Sequence, residues 1–278
     1  MKERRDALIW HGHRGCRGLK PENSIPAFIH AMELGMDALE MDVVISADLQ
    51  VVVAHEPFMP HDICKKPDGS DITEAEEKGL NLYQMDYQMI RNFDCGCPHP
   101  RFPEQETEVI HRPLLSEVFQ EIEARWKFTD STPILYTIEL KSAPDFDNLY
   151  HPPPDVFVSI VLAVIRQADT LGRCILQSFD KRILKAIHEQ EPTVQISLLL
   201  DKAFNLEREI ETLGFLPNFL GPQFNMVTPD LIRLCHEKGI LVVPWTVNEV
   251  SDMQWLADIG VDGIITDYPD RKAFVNNS

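Results

Sequence analysis

A closed (β/α)8 (TIM) barrel is the fold class this sequence predicts, on three observations. Short apolar, β-rich runs alternate with longer segments of helical period from one end of the chain to the other, and these runs number eight. The 278 residues suit one barrel without a second domain. Eight parallel strands closed on themselves also leave no exposed sheet edge, whereas the alternative, a doubly wound open sheet, leaves two.

The strand runs are residues 8–13, 38–45, 134–140, 174–177, 195–199, 219–223, 240–246 and 263–266. Between the first two, Asn23 is expected to cap a helix that carries Ile25, Phe28, Ile29 and Met32 on one stripe. Pro26 falls in its first turn, where proline is tolerated, and Gly35 ends it. Later helices open at Asp155 after three prolines, at Asp180, and at Thr228 before Pro229; Gly172, Gly239 and Gly260 are expected to close theirs. Residues 56–112 break the repeat with turn formers such as Lys65-Lys66-Pro67-Asp68-Gly69, Cys95-Gly96-Cys97-Pro98 and Phe102-Pro103. We therefore expect one domain over residues 1–278, with 56–112 an insertion placed to act as a lid over the strand ends.

Lys plus Arg is 26 against 44 Asp plus Glu, a net charge of −18 that argues against a nucleic-acid partner needing a basic surface. No apolar run approaches the 18 residues of a membrane span; the nearest, residues 156–165, is interrupted by Ser159. The opening Met1-Lys2-Glu3-Arg4-Arg5-Asp6 leads into Ala7-Leu8-Ile9-Trp10 without a secretory apolar region, which predicts a cytoplasmic protein, or a periplasmic one if a leader has been removed. Six scattered cysteines, Cys95-Gly96-Cys97 among them, predict buried or free thiols rather than a disulfide framework.

In a barrel the reacting groups come from the carboxyl ends of strands. Glu40 and Asp42 stand two apart in Leu39-Glu40-Met41-Asp42-Val43, so both lie on one face while Leu39, Met41 and Val43 occupy the other. Glu139 and Lys141 repeat that spacing further on. Three carboxylates converging from neighbouring strands repel one another, and a hard divalent cation, Mg²⁺ or Ca²⁺, is the simplest compensation; an ion-pair network with Arg14 and Lys141 is the other. His13 follows the first strand, and His55 ends Val51-Val52-Val53-Ala54. Two imidazoles at strand ends are candidates for an acid–base couple, with His11 a rival to His13.

The chain resembles the glycerophosphodiester phosphodiesterases. The resemblance rests on His13-Arg14-Gly15, Pro21-Glu22-Asn23-Ser24, Glu40-x-Asp42, Val52-Val53-Ala54-His55, Pro113-Leu114-Leu115-Ser116-Glu117, Glu139-Leu140-Lys141, Gln177-Ser178-Phe179, Val243-Pro244-Trp245-Thr246 and Asp262-Gly263-Ile264-Ile265-Thr266-Asp267. The family usually carries threonine where Ser24 stands and aspartate where Glu56 stands. The resemblance implies a (β/α)8 barrel that hydrolyses glycerophosphodiesters to glycerol 3-phosphate and an alcohol. Glu40, Asp42 and Glu139 would be its metal ligands, His13 and His55 its acid–base pair, Arg14 and Lys141 its phosphate clamp, and Trp245 part of the wall against the glycerol or alcohol. A barrel that binds a phosphorylated ligand without turnover is the reading from another class, and it would not need both histidines. A phospholipase of the same chemistry would meet an anionic bilayer with the wrong charge.

Overall fold

A computed structural model describes residues 8–127 and 132–276. Along the chain lie β1 (Ile9–Gly12), α1 (Ile25–Glu33), β2 (Ala38–Ile45), β3 (Val51–Val53), α2 (Glu74–Glu77), α3 (Tyr87–Ile90), α4 (Leu115–Trp126), β4 (Leu135–Leu140) and α5 (Pro154–Gln167). They are followed by β5 (Cys174–Ser178), α6 (Lys181–Gln190), β6 (Gln195–Leu200), α7 (Leu206–Leu213), β7 (Phe219–Pro222), α8 (Pro229–Glu237), β8 (Leu241–Val242), α9 (Val250–Asp258) and β9 (Gly263–Thr266).

Eight of these strands run parallel in the order β8-β7-β6-β5-β4-β2-β1-β9. The two outer members meet through backbone hydrogen bonds: Asp262 N–H donates to Val242 O (2.9 Å), Ile265 N–H to Pro244 O (3.0 Å) and Val247 N–H to Ile265 O (2.9 Å). The sheet is thus the expected barrel, nearly closed. Leu39, Met41 and Val43 face the surrounding helices and are fully buried there with Phe28, Phe119, Phe157 and Leu162, which confirms the alternation read from β2.

Several local expectations need correction. The cap of α1 is Ser24, whose hydroxyl accepts from Ala27 N–H, and Asn23 sits one residue earlier at φ +54° with its side chain turned away from the helix. Asp180 and Thr228 do cap α6 and α8. Gly35, Gly239 and Gly260 take the left-handed backbone just past their helices, but after α5 it is Asp169 that does so (φ +55°), and Gly172 lies in a later 3-10 turn.

β3 was not among the eight expected strands. It turns back antiparallel on β2, pairing Val43 with Val53 and Ile45 with Val51, and leads the chain out of the barrel. The chain returns where it left, since Val53 N–H donates to Pro113 O (2.8 Å) and Val52 bridges Leu114. Between these points the excursion has its own apolar centre, built from Met59, Ile63, Ile72, Leu82, Tyr87, Ile90 and Phe93. It also holds a disulfide between Cys64 and Cys95. The expectation of unpaired thiols therefore fails for these two and holds for Cys16, Cys97, Cys174 and Cys235. Thirty-one residues separate the bonded pair, and no spacing motif in the sequence marks it.

Candidate active site

Strand register assembles the site. In the β2–β4 ladder Asp42 stands directly opposite Glu139, and Glu40 points the same way two residues earlier. The β1–β9 ladder pairs Gly12 with Thr266, which sets His13 beside Asp267 one step on. The β4–β5 ladder pairs Glu139 with Gln177. The carboxyl end of the barrel therefore collects His13, Glu40, Asp42, Glu139, Gln177 and Asp267, all buried.

Oxygens of Glu40, Asp42 and Glu139 lie within 4.8 Å of one another. Each carboxylate is also fixed from the side. Glu40 accepts from Arg14 N–H (2.9 Å) and from Gln177 Nε2 (2.9 Å). Asp42 accepts from Asn23 Nδ2 (2.9 Å), while its own N–H donates to Asn23 Oδ1 (3.2 Å). Asn23 thus orients a site carboxylate, and the left-handed turn at Asn23 is what aims it. Lys141 Nζ reaches Glu139 (2.7 Å), Asp42 (3.8 Å) and His55 Nε2 (3.1 Å).

The charges respond to this crowding. Burial, with Asp42 alongside, holds Glu40 well above the ordinary carboxyl range. Burial pushes Glu139 up to about 7, with Asp42 adding to the rise against the pull of Lys141. Burial would raise Asp42 too, but Arg14, His55, Lys141 and the Asn23 hydrogen bond overcome it and hold Asp42 far below the usual range. Binding a cation requires all three ionised, so metal-free protein must give up protons to take one. Cation affinity is expected to rise as pH climbs through about 7, where Glu139 ionises. Calorimetry of Mg²⁺ or Ca²⁺ binding in buffers of different ionisation heat should show net proton release at pH 6.5; buffer-independent heats would contradict it.

Both histidines are aimed by carboxylates. His13 Nδ1 lies 2.6 Å from Asp267 Oδ1, which leaves Nε2 facing the acidic layer at 3.9 Å from Glu40. Burial lowers His13 to about 4 despite Asp267, so its imidazole is neutral near pH 7. His55 Nδ1 lies 2.7 Å from Glu56 Oε1, and burial with Arg14 nearby lowers this histidine as well. The partners place the proton on Nδ1 in each ring and leave Nε2 as the acceptor. Arg14, at φ +48°, spans the site, its Nη1 donating to Glu22 (2.9 Å) and its Nε lying 3.2 Å from Asp42. Gly15 follows at φ +84°, where a Cβ would come within 2.7 Å of the Ala27 backbone, so the turn that presents Arg14 needs glycine there.

His11, the rival histidine, lies one layer deeper with Nδ1 2.9 Å from Thr137 Oγ1 and does not reach the acidic layer. Trp245 lies three residues past β8, which is shorter than the expected strand 240–246; it donates from Nε1 to Gly221 O (2.8 Å) and meets Phe179 edge-on at 5.5 Å. A cavity of about 320 Å³ opens between the barrel mouth and the excursion, bordered by Arg14, Arg17, Glu22 and His55 below and by Phe58, His61, His99 and Arg101 from the excursion. Of the site residues expected from the sequence, Arg14 and His55 are on its wall, and His13, Glu40, Asp42, Glu139, Lys141 and Trp245 are not. Asp267, Glu56, Asn23 and Gln177 were not singled out as site residues in the sequence, although each lies in or beside one of the segments that carried the resemblance.

Residues 13–271 match the family model described as the glycerophosphoryl diester phosphodiesterase family. A glycerophosphodiester phosphodiesterase of Caldanaerobacter subterraneus subsp. tengcongensis is 31% identical, the match covering 93% of each chain, and one of Bacillus altitudinis is 27% identical over 93% of this chain and 94% of its own. A crystal structure from Silicibacter pomeroyi, carrying the glycerophosphoryl diester phosphodiesterase name, superposes with a TM-score of 0.84 at 32% identity, covering 95% of this chain and 91% of that one. An Oleispira antarctica phosphodiesterase, solved with the product sn-glycerol-3-phosphate, shares the fold at a TM-score of 0.75 and 18% identity, covering 96% of this chain and 95% of its own.

Proposed function

Since the chain belongs to the glycerophosphoryl diester phosphodiesterase family, we propose that it hydrolyses glycerophosphodiesters to glycerol 3-phosphate and an alcohol, with a divalent cation and with His13 and His55 as its acid–base pair. The observation that carries this reading is the cluster of three buried carboxylates with His13 beside Glu40 and His55 joined to it through Lys141, each imidazole oriented by a further carboxylate.

An all-oxygen donor set of Glu40, Asp42 and Glu139 fits a hard cation, Mg²⁺ or Ca²⁺, rather than a thiophilic one. When bound, such an ion polarises the phosphoryl group and stabilises the charge that grows on it during in-line displacement. The chain's own groups do the rest. A phosphodiester is an anion, and Arg14 and Lys141 are the cations that stand against the three carboxylates to receive it. The planar fork of Arg14 can address two phosphate oxygens, while Lys141 offers a point charge with three donors. One imidazole, neutral, takes the proton from the attacking oxygen at its Nε2, and the other, which has to enter the step as an imidazolium carrying a second proton on Nε2, gives that proton to the departing alkoxide, which otherwise leaves poorly. Asp267 and Glu56 hold the Nδ1 proton of each ring, so that Nε2 is the atom that exchanges protons with the substrate. Trp245, which meets Phe179 edge-on, would reach the glycerol or the alcohol only where the substrate extends beyond the cavity, whose wall does not include it. The excursion over residues 56–112 acts as the lid of a one-domain enzyme by forming the upper wall of the cavity.

No helix among the described residues is long and apolar enough to cross a membrane. A small free glycerophosphodiester is the substrate that suits a cavity of about 320 Å³, and a net charge of −18 disfavours an anionic bilayer as the source of a lipid substrate. The test is hydrolysis of a panel bearing choline, ethanolamine, inositol or glycerol, with and without chelator, reading released glycerol 3-phosphate. Cation-dependent release is expected from at least one member. Tight binding of every member without release would favour the non-hydrolytic barrel.

A further inference from the structure

The segment after His13 is gripped from two sides. On one side, Arg17 Nε donates to Asp267 Oδ1 (2.9 Å) and Nη2 to Asp267 Oδ2 (3.2 Å), on the same carboxylate that orients His13. On the other side stands residues 99–106, the stretch of the excursion that crosses over this turn. There the Phe102 ring lies 4.7 Å beneath the Arg17 guanidinium. Gln105 Nε2 donates to Arg17 O (2.7 Å) and Lys20 O (3.1 Å), while its Oε1 accepts from His99 N–H (2.7 Å). Glu106 N–H donates to Leu19 O (2.9 Å), and Lys20 pairs with the Glu106 carboxylate. Phe102 also rests against Tyr268, the neighbour of Asp267, at 6.3 Å.

We propose that this stretch of the excursion sets the position of His13, with Arg17 as the positioning residue through which Phe102 and Gln105 act on the Asp267 carboxylate. A carboxylate that must hold an imidazole with one oxygen can swing about its own bond unless its second oxygen is also held. Arg17 bonds both oxygens through one rigid fork, and Asn248 Nδ2 adds a donor to Oδ2 (2.8 Å). The fork in turn has a defined plane because the Phe102 face lies under it and Gln105 fixes the backbone it springs from. Arg17 also lies 3.9 Å from Glu22, the carboxylate that Arg14 bonds, so the same stretch steadies the side of the site where phosphate is expected.

This inference rests on the acid–base reading of His13, so one arm of its test reads the imidazole directly. In full-length protein, Arg17→Gln is expected to lower kcat about 100-fold and Arg17→Lys about 10-fold, since misplacing a catalytic group by even ~1 Å costs on that order. KM should move by less than about threefold. Phe102→Leu, which keeps apolar volume but removes the ring face, should lower kcat several-fold, and Phe102→Tyr should restore it. The downfield proton resonance of His13 Nδ1–H, expected from its short bond to Asp267, should broaden or shift in Arg17→Gln and Phe102→Leu and persist in Phe102→Tyr. An unchanged kcat and an unchanged resonance in Arg17→Gln would overturn the proposal, and so would a raised KM at constant kcat, which would make Arg17 a substrate contact. A kcat that falls only in proportion to the folded fraction seen by circular dichroism would overturn it too. A wild-type protein that turns over no glycerophosphodiester would instead sink the proposed function.

Discussion

Replacing His13 or His55 with glutamine is expected to lower kcat about 10²- to 10⁴-fold, the range for losing one general acid or base. Glutamine keeps hydrogen-bonding capacity but cannot carry a proton between oxygens. The two variants should differ in a way that identifies their roles. A substrate whose leaving group is a weak base, such as a nitrophenyl ester, needs no protonation on departure, so it should recover much of the rate in whichever variant lost the acid and none in the other. The same experiment has a positional control: His11→Gln alters a histidine bonded to Thr137 one layer below and should reduce stability without the selective loss of turnover. Turnover that survives both His13→Gln and His55→Gln would remove the acid–base assignment altogether.

Asp42→Asn should produce the second large loss, this time through the cation. Asp42 is the carboxylate most strongly held ionised, with Arg14, Lys141 and Asn23 around it, so it is the ligand ready to bind without first losing a proton. In wild type, Mg²⁺ or Ca²⁺ at a hundred times its Kd should stabilise the fold by about 2.7 kcal/mol through mass action, visible as a rise in Tm. The Asp42→Asn variant should show no such rise and no cation-dependent hydrolysis. A full cation-induced shift in Asp42→Asn would place the ion elsewhere. Glu40→Gln separates affinity from charge. Its carboxyl is pushed up by burial and by Asp42, so in metal-free protein the amide should cost little stability near neutral pH while cation binding still fails.

The parts of the molecule that were legible in the sequence are those in which one residue type has one physical use. Charged residues at a spacing of two inside an apolar strand have no inexpensive place except a shared interior face, so Glu40, Asp42 and Glu139 announce themselves, and the β2–β4 register then brings them together. Asp180 and Thr228 each precede an apolar stripe and do what such residues do there. Asn23 misleads because asparagine both caps helices and tolerates left-handed backbone; only coordinates distinguish the two, and here the neighbouring Ser24 took the cap. Asp169 took the left-handed turn after α5 that Gly172, three residues later, was expected to supply. The run Val51-Val52-Val53-Ala54 before His55 reads as strand-like, but nothing in it tells that it turns back antiparallel on β2 instead of joining the eight parallel strands. Arg17 and Asp267 lie 250 residues apart, and no local pattern could reveal that they meet.

The excursion leaves and re-enters the barrel at neighbouring backbone positions, with Val52 and Val53 tied to Leu114 and Pro113. The gap it must bridge is therefore already closed by hydrogen bonds that belong to the scaffold, and the entropic penalty for a longer or shorter detour grows only with the logarithm of its length. Such a doorway lets the outer wall of the chamber be rebuilt as a unit, as long as the few side chains that lean back on Arg17 are retained, while the eight staves beneath keep their alignment.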